Sequence, residues 1–344
     1  LFIGKVPSNQ GDSISKEVVL KDGRTARPPL PRYWLDYLLY LLLRLVVCLI
    51  QMSTIERCER WSQLLAWCIH RGFAVREKLV RENLQRVFPD WGEERCAATQ
   101  MEMWRHLLLM VCEIAHAPRK IHRTNWYHFF DIPDRPQMLR VVLERRPKIM
   151  VTGHFGNFEL AGFVNGLFGL PSTSLARPLD NPFIHRYITD FRSMGGQHFL
   201  SKDDSAHQVQ RLLEAGGTLG LLADQDAGTR GCWVNFLGHP ASCHKALALF
   251  TLVNKAPMMV CYNRRVGRPL KFQLVLTGLV DPAYPSDILA SVQSLTQWYN
   301  DCLEAPIRNF PEQYWWLHRR WRDPPDRLRR ESQRASVHRP RLAG

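Results

Sequence analysis

Apolar and polar positions fall into three textures along this chain, and each predicts a different kind of element. The first is the run 33–52, YWLDYLLYLLLRLVVCLIQM, where the charged Asp36 and Arg44 interrupt the apolar residues. Its clean stretches are shorter than the roughly 18 residues of an unambiguous membrane span. Tyr33, Trp34, Tyr37 and Tyr40 gather at its start, as aromatic belts do at a bilayer interface. The run reads as a membrane-associated helix, spanning or half-inserted, with a buried core helix as the alternative. It begins too late for a signal peptide and carries an internal Arg. Basic residues on both sides leave its orientation open.

The second texture, 55–116, is helical: Trp61, Leu64, Leu65, Cys68 and Ile69 recur at spacings of three and four. Pro89-Asp90 closes one helix and Glu93–Ala115 forms the next. After Asp131-Ile-Pro-Asp134 the third texture begins. Short Val/Ile/Leu/Met runs at 148–152, 172–176, 218–223, 257–262 and 271–277 alternate with helical patterns at 157–168, 182–194, 204–215, 243–255 and 287–304. That alternation predicts an α/β fold with a central, mostly parallel or mixed sheet flanked by helices. The expected organisation is a flexible arm over 1–32, the membrane-associated helix over 33–52, a folded body over 53–322 (helical to about 130, α/β beyond), and a disordered basic tail over 323–344.

Composition adds a partner class. The 344 residues carry a formal charge of +14, which suits a polyanion: nucleic acid, an acidic membrane face or a phosphorylated substrate. Nine scattered Cys without a C-x-x-C pair read as reduced thiols in a cytoplasmic setting. His116, His122 and His128, six apart, share no helix face, so no metal site is expected.

The candidate chemistry centres on 147–162, PKIMVTGHFGNFELAG. A buried strand ends at Thr152-Gly153, His154 follows in a glycine-flanked loop, and Glu159 falls in the first turn of a helix. An imidazole oriented by a carboxylate is a general base, as acyl transfer to an alcohol or amine requires. Arg177 would lie in the loop beyond the next strand, where substrates bind in open α/β sheets. Asn181 before Pro182 is a good helix N-cap, and Arg192 lies on the helix it starts. In 219–240, LGLLADQDAGTRGCWVNFLGHP, Asp224, Gln225 and Asp226 follow a strand. They read as loop structure or as hydrogen-bonding partners of catalytic groups more readily than as a metal site. The following Trp-Val-Asn-Phe-Leu lines an apolar channel or belongs to the core. The cluster 310–322, FPEQYWWLHRRWR, could stack bases or hold lipid headgroups, or be a buried helix with a basic end.

Taken together, these motifs resemble a family. HFGNFE at 154–159 is similar to the H-x-x-x-x-[DE] box of lysophospholipid acyltransferase-like enzymes, and most to the HFGNWE form found in bacterial lipid A late acyltransferases. R-P-x-x-N at 177–181, Arg192, ADQDAG at 223–228, NFLGHPAS at 235–242, PEQYWWLHRRWR at 311–322 and RENLQRVFPD at 81–90 continue the likeness in order. Phe158 replaces the usual Trp, and His244-Lys245 stands where small or hydroxyl residues are common. The resemblance implies an O-acyltransferase on the cytoplasmic face of the bacterial inner membrane. It would move a fatty acyl chain from acyl carrier protein to a hydroxyl of a phosphorylated glucosamine lipid, the lipid A precursor. It further implies His154 as general base, Glu159 as its orienting partner, and Arg177, Asn181, Arg192, Asp224 and Gln225 as substrate-binding residues. No cofactor is implied beyond the acyl-acyl carrier protein or acyl-CoA co-substrate. An acyl-CoA-dependent enzyme on another glycolipid or lysophospholipid is the alternative. A nucleic-acid binder would also fit the charge, but the apolar run argues against it.

Overall fold

The computed structural model describes residues 30–323 apart from 74, 171, 176–177, 195 and 201–204, together with two short strands, β1 (Val18–Val19) and β2 (Thr25–Ala26), which pair antiparallel. The expected tail at 323–344 lies outside the described residues save Asp323, and most of the expected arm at 1–32 does too.

Helix α1 (Leu30–Met52) is 23 residues long and, by length and composition, apolar enough to cross a bilayer. Its apolar side chains are not core. Trp34, Leu38, Leu42, Leu45 and Leu49 are all more than half exposed, and Ile50 alone is buried. Its contact with the helix Pro182–Met194 is largely aromatic, with Tyr33, Tyr37 and Tyr40 packed around Phe183, and Gln51 Nε2 donates to Ala115 O of the body at 2.8 Å. Then come α2 (Ile55–Cys68), α3 (Glu77–Val87) and α4 (Glu93–Lys120). Thr54 caps α2 by accepting from Arg57 N at 3.3 Å.

The α/β part begins with β3 (Phe130–Asp131) and α5 (Arg135–Val142), then β4 (Lys148–Thr152), α6 (Phe158–Leu167), β5 (Ser172–Leu175) and α7 (Pro182–Met194). It continues through β6 (Gln197–Leu200), α8 (Ser205–Glu214), β7 (Thr218–Leu222), β8 (Cys232–Phe236) and β9 (His239–Cys243). It closes with α9 (Ala246–Asn254), β10 (Met258–Arg265), β11 (Phe272–Val280) and α10 (Val292–Asn309). Seven strands form one sheet in the order β3-β11-β10-β4-β7-β5-β6, with all pairings parallel except β10–β11. This is the mostly parallel, helix-flanked sheet that the alternating pattern predicts.

Two local readings are decided by the fold. The Trp-Val-Asn-Phe-Leu stretch takes the core alternative: it forms most of β8 in the β8–β9 hairpin, and Val234, Phe236 and Leu237 join the main core. The cluster at 310–322 is not a helix. After a short 3-10 turn at Pro311–Gln313 it runs as irregular chain with Tyr314, Trp316 and Arg320 buried. The buried Arg320 guanidinium donates to Ser242 O at 2.7 Å and lies 4.8 Å from the Phe236 ring centroid.

One buried carboxylate joins the helical part to the sheet. Glu113 on α4 is fully buried and accepts four hydrogen bonds: Arg265 Nε and Nη2, each at 2.7 Å, Leu270 N at 3.1 Å and Asn157 Nδ2 at 2.9 Å. Arg265 Nη1 also meets His106 Nδ1 at 2.8 Å. Removing one member of such a pair leaves the other charge buried alone, at a cost of about 3–5 kcal/mol. Glu113→Ala is therefore expected to lose that much unfolding free energy in urea titration, and a loss below about 1 kcal/mol would contradict this role.

Candidate functional site: a histidine held at the sheet's carboxyl edge

β4 and β7 are parallel neighbours in the register Thr152↔Leu222, so the loops that leave their carboxyl ends start side by side. Ala223 N donates to Thr152 O at 2.8 Å and keeps them together for one further residue. The next residues are His154 and Asp224, 70 positions apart in the chain. Asp224 accepts from His154 N at 2.8 Å and from His154 Nδ1 at 2.7 Å. With Nδ1 as donor, the lone pair of the neutral ring lies on Nε2, where Gln225 Nε2 stands 3.1 Å away.

The loop carrying His154 has little room to move. Trp315 N donates to His154 O at 3.0 Å, Gly156 N to Gln313 O at 2.9 Å, and Asn157 N to Asn263 O at 2.9 Å. Asn263 Nδ2 returns a bond to Asn157 O at 2.8 Å. Gly156 adopts φ +59°, and a Cβ there would sit 1.8 Å from Asn263 O, so the close approach demands glycine. Asn157 caps α6 through Leu160 N at 3.2 Å.

The carboxylate that holds the ring is therefore Asp224 and not Glu159. Glu159 sits in the first turn of α6, and its two oxygens are taken by Arg192 of α7 at 2.9 and 2.5 Å. The local five-residue spacing suggests a His154–Glu159 bond, but the parallel strand pairing brings a nearer partner. Asn181 is likewise occupied. Its Oδ1 caps α7 through Phe183 N and Ile184 N at 3.0 and 3.1 Å, and its Nδ2 bonds Asp36 O on α1 at 2.8 Å. It braces α1 against α7 instead of lining the cavity. Arg177 lies outside the described residues. Glu113, Arg265, His106 and Asn263, which fix the loop, were not singled out from the sequence. A lone carboxylate within the apolar stretch Leu107–Ala115 was the available signal for Glu113.

Electrostatics follow from burial and pairing. Burial alone would lower the His154 ring, but the Asp224 carboxylate, with a smaller contribution from Glu159, outweighs it and raises the ring above its ordinary 6.5. Burial alone would raise the Asp224 carboxyl, and the adjoining His154 reverses this and holds it below 3.8. Tyr314 is pushed well above its usual range by burial and by the same carboxylate, and stays a phenol.

His154 opens onto a cavity of about 550 Å³ between the sheet and α6, which Glu159, Arg192, Gln225, Leu175, Leu221 and Tyr262 help to line. Met150, Asn165 and Leu274 also border a second cavity of about 420 Å³, mostly apolar, under α5. From His154 back to Lys148 the strip beneath α6 is roughly 20 Å long at the rise of an extended strand.

Comparison with known proteins gives the class: the chain is an O-acyltransferase. It belongs to the bacterial lipid A biosynthesis acyltransferase family, whose profile matches residues 23–323. A lipid A biosynthesis palmitoleoyltransferase of Escherichia coli K12 is 25% identical over 306 residues, covering 86% of this chain and 93% of the relative. The lipid A biosynthesis lauroyltransferase of the same organism is 26% identical over 302 residues, covering 86% and 94%. A lipid A biosynthesis acyltransferase of Haemophilus influenzae is 23% identical over 295 residues, covering 83% and 87%.

Transfer that depends on neutral His154 must fail as pH falls through the raised pKa of the ring, so the acid limb of the wild-type rate profile is expected above pH 6.5. In Asp224→Asn the main attraction is gone, and burial is opposed only by the smaller pull of Glu159. The limb should move to lower pH, while kcat falls on the order of 10²-fold or more. A limb that stays in place would contradict the pairing.

Proposed function

We propose that this acyltransferase moves a fatty acyl chain from an acyl carrier protein thioester to a hydroxyl of a lipid A precursor, at the cytoplasmic face of the bacterial inner membrane. The observation that carries the reading is the His154–Asp224 bond at 2.7 Å, with the second ring nitrogen directed to the cavity, in a chain of this family. In the proposed reaction His154 Nε2 takes the proton of the acceptor hydroxyl as its oxygen attacks the thioester carbonyl. The tetrahedral intermediate then collapses, the C–S bond breaks, and the departing sulfur receives the proton from His154. Asp224 holds the productive tautomer and stabilises the imidazolium formed on the way.

The other residues take supporting parts. The amide of Gln225 stands where an acceptor hydroxyl would meet Nε2, so it must yield to the substrate or hand the position over. Arg192 is neutralised by Glu159, and the pair shapes the wall of the cavity beside the ring. The apolar strip under α6, continued beneath α5, supports an acyl chain as the group lodged there. The exposed apolar surface of α1 supports a bilayer-bound enzyme, and a charge of +14 suits both an anionic lipid and an acidic carrier protein.

The test is mass spectrometry of lipids from cells that lack their own late acyltransferases and express wild type or His154→Ala. A new acyl chain on lipid A with wild type and none with the folded variant is expected. Acylation retained by the variant would remove His154 from the chemistry, and a different acylated lipid would move the acceptor. Supplying purified enzyme with acyl-acyl carrier protein and with acyl-CoA in parallel decides the donor.

A further inference from the structure

The charge that could meet a phosphate is not in the cavity beneath α6. There Arg192 is already paired with Glu159 by two bonds. On the other side of His154 lies a second basin of about 850 Å³, between α3 and the chain beyond Trp316. Its wall carries five cations, Arg76, Lys78, Arg86, Arg319 and Arg322, against two carboxylates. Those two, Glu82 and Asp226, are engaged by Lys78 at 3.9 Å and by Arg322 at 3.1 Å. Arg76, Arg86 and Arg319 have no carboxylate partner among the described residues.

Two of these guanidinium groups, those of Arg76 and Arg86, are held in place without being neutralised. Arg76 sits at φ +50°, a left-handed conformation unusual for a side chain of its size, and its Nη1 donates to Leu317 O at 2.7 Å. Arg86 lies 5.8 Å from the ring centroid of Trp321. The basin also reaches the reacting group. Gln225 lines both cavities, and His318 lines the basin with its ring centroid 6.1 Å from that of His154. His318 Nε2 is buried without a hydrogen-bond partner among the described residues.

We infer that this basin is a phosphate-binding site of the acyltransferase, receiving a phosphate ester carried by one of its two substrates while the hydroxyl or thioester of that substrate reaches His154. Arginine forks match phosphate oxygens bidentately, and three that lack a carboxylate are ready to do so. Two sources share this chemistry: the sugar phosphate of the acceptor lipid and the phosphopantetheine arm of the carrier. The inference rests on the acyl-transfer reading above.

The experiment uses the full chain in detergent, as wild type, Arg76→Gln/Arg86→Gln, and Arg86→Gln alone, which spares the Arg76 bond to Leu317. KM and kcat are measured for donor and acceptor, the acceptor with and without its phosphate. If the acceptor phosphate binds here, the variants raise the acceptor KM about tenfold or more with kcat little changed, and the difference vanishes for the dephosphorylated acceptor. If the donor arm binds here, the donor KM rises instead. Unchanged KM for both substrates in the folded single variant overturns the site. Should wild type transfer no acyl group at all, the acyl-transfer reading fails first, and calorimetric titration still decides the basin. Glucosamine 1-phosphate or phosphopantetheine binding that the double variant loses supports the site, while equal binding by wild type and variant overturns it.

Discussion

The site depends on a short loop, 153–157, that has been denied any alternative conformation by buried polar bonds. Glu113 is the anchor. A carboxylate removed from water costs several kcal/mol unless its oxygens are satisfied, and here α4 supplies the charge while β10, the turn before β11 and the cap of α6 supply the donors. The same interaction fixes three elements and the loop between them. Gly156 then passes within contact of the Asn263 carbonyl, and no other residue could occupy that place. His154 is delivered to a position that its own side chain does not have to maintain.

Parallel strand pairing does the remaining work. Because β4 and β7 are in register to their last residues, His154 and Asp224 leave the sheet together and meet at 2.7 Å. This explains why local spacing pointed to Glu159. Five residues along the chain bring a carboxylate near the ring, yet the geometry of the first turn of α6 turns it toward Arg192 on α7. The sheet, its helices and the histidine loop were legible because apolar runs and glycines mark them locally. The partner across 70 residues, the buried Glu113 network and the β8–β9 hairpin were not, since each depends on tertiary pairing that leaves no periodic trace. Asn181 shows the opposite case. Its role as a cap was readable, and the cap together with its bond to α1 uses the amide that a substrate would need.

Charge is divided unevenly around His154. Beneath α6 a matched pair, Glu159 and Arg192, faces an otherwise largely apolar strip, a setting suited to hydrocarbon. Toward α3 the surplus is cationic. An imidazole between an apolar slot and a basic basin suits a reaction whose partners are amphipathic and anionic, and the exposed apolar face of α1 suits a membrane surface.

The central claim is that Asp224, and not Glu159, orients the ring. Nitrogen NMR of the His154 imidazole, in wild type, Asp224→Asn and Glu159→Gln, tests it most directly. Above its pKa the wild-type ring should carry its proton on Nδ1, Glu159→Gln should keep that tautomer, and Asp224→Asn should lose the preference and titrate at lower pH. A ring whose tautomer changes with Glu159→Gln and ignores Asp224→Asn would contradict the claim.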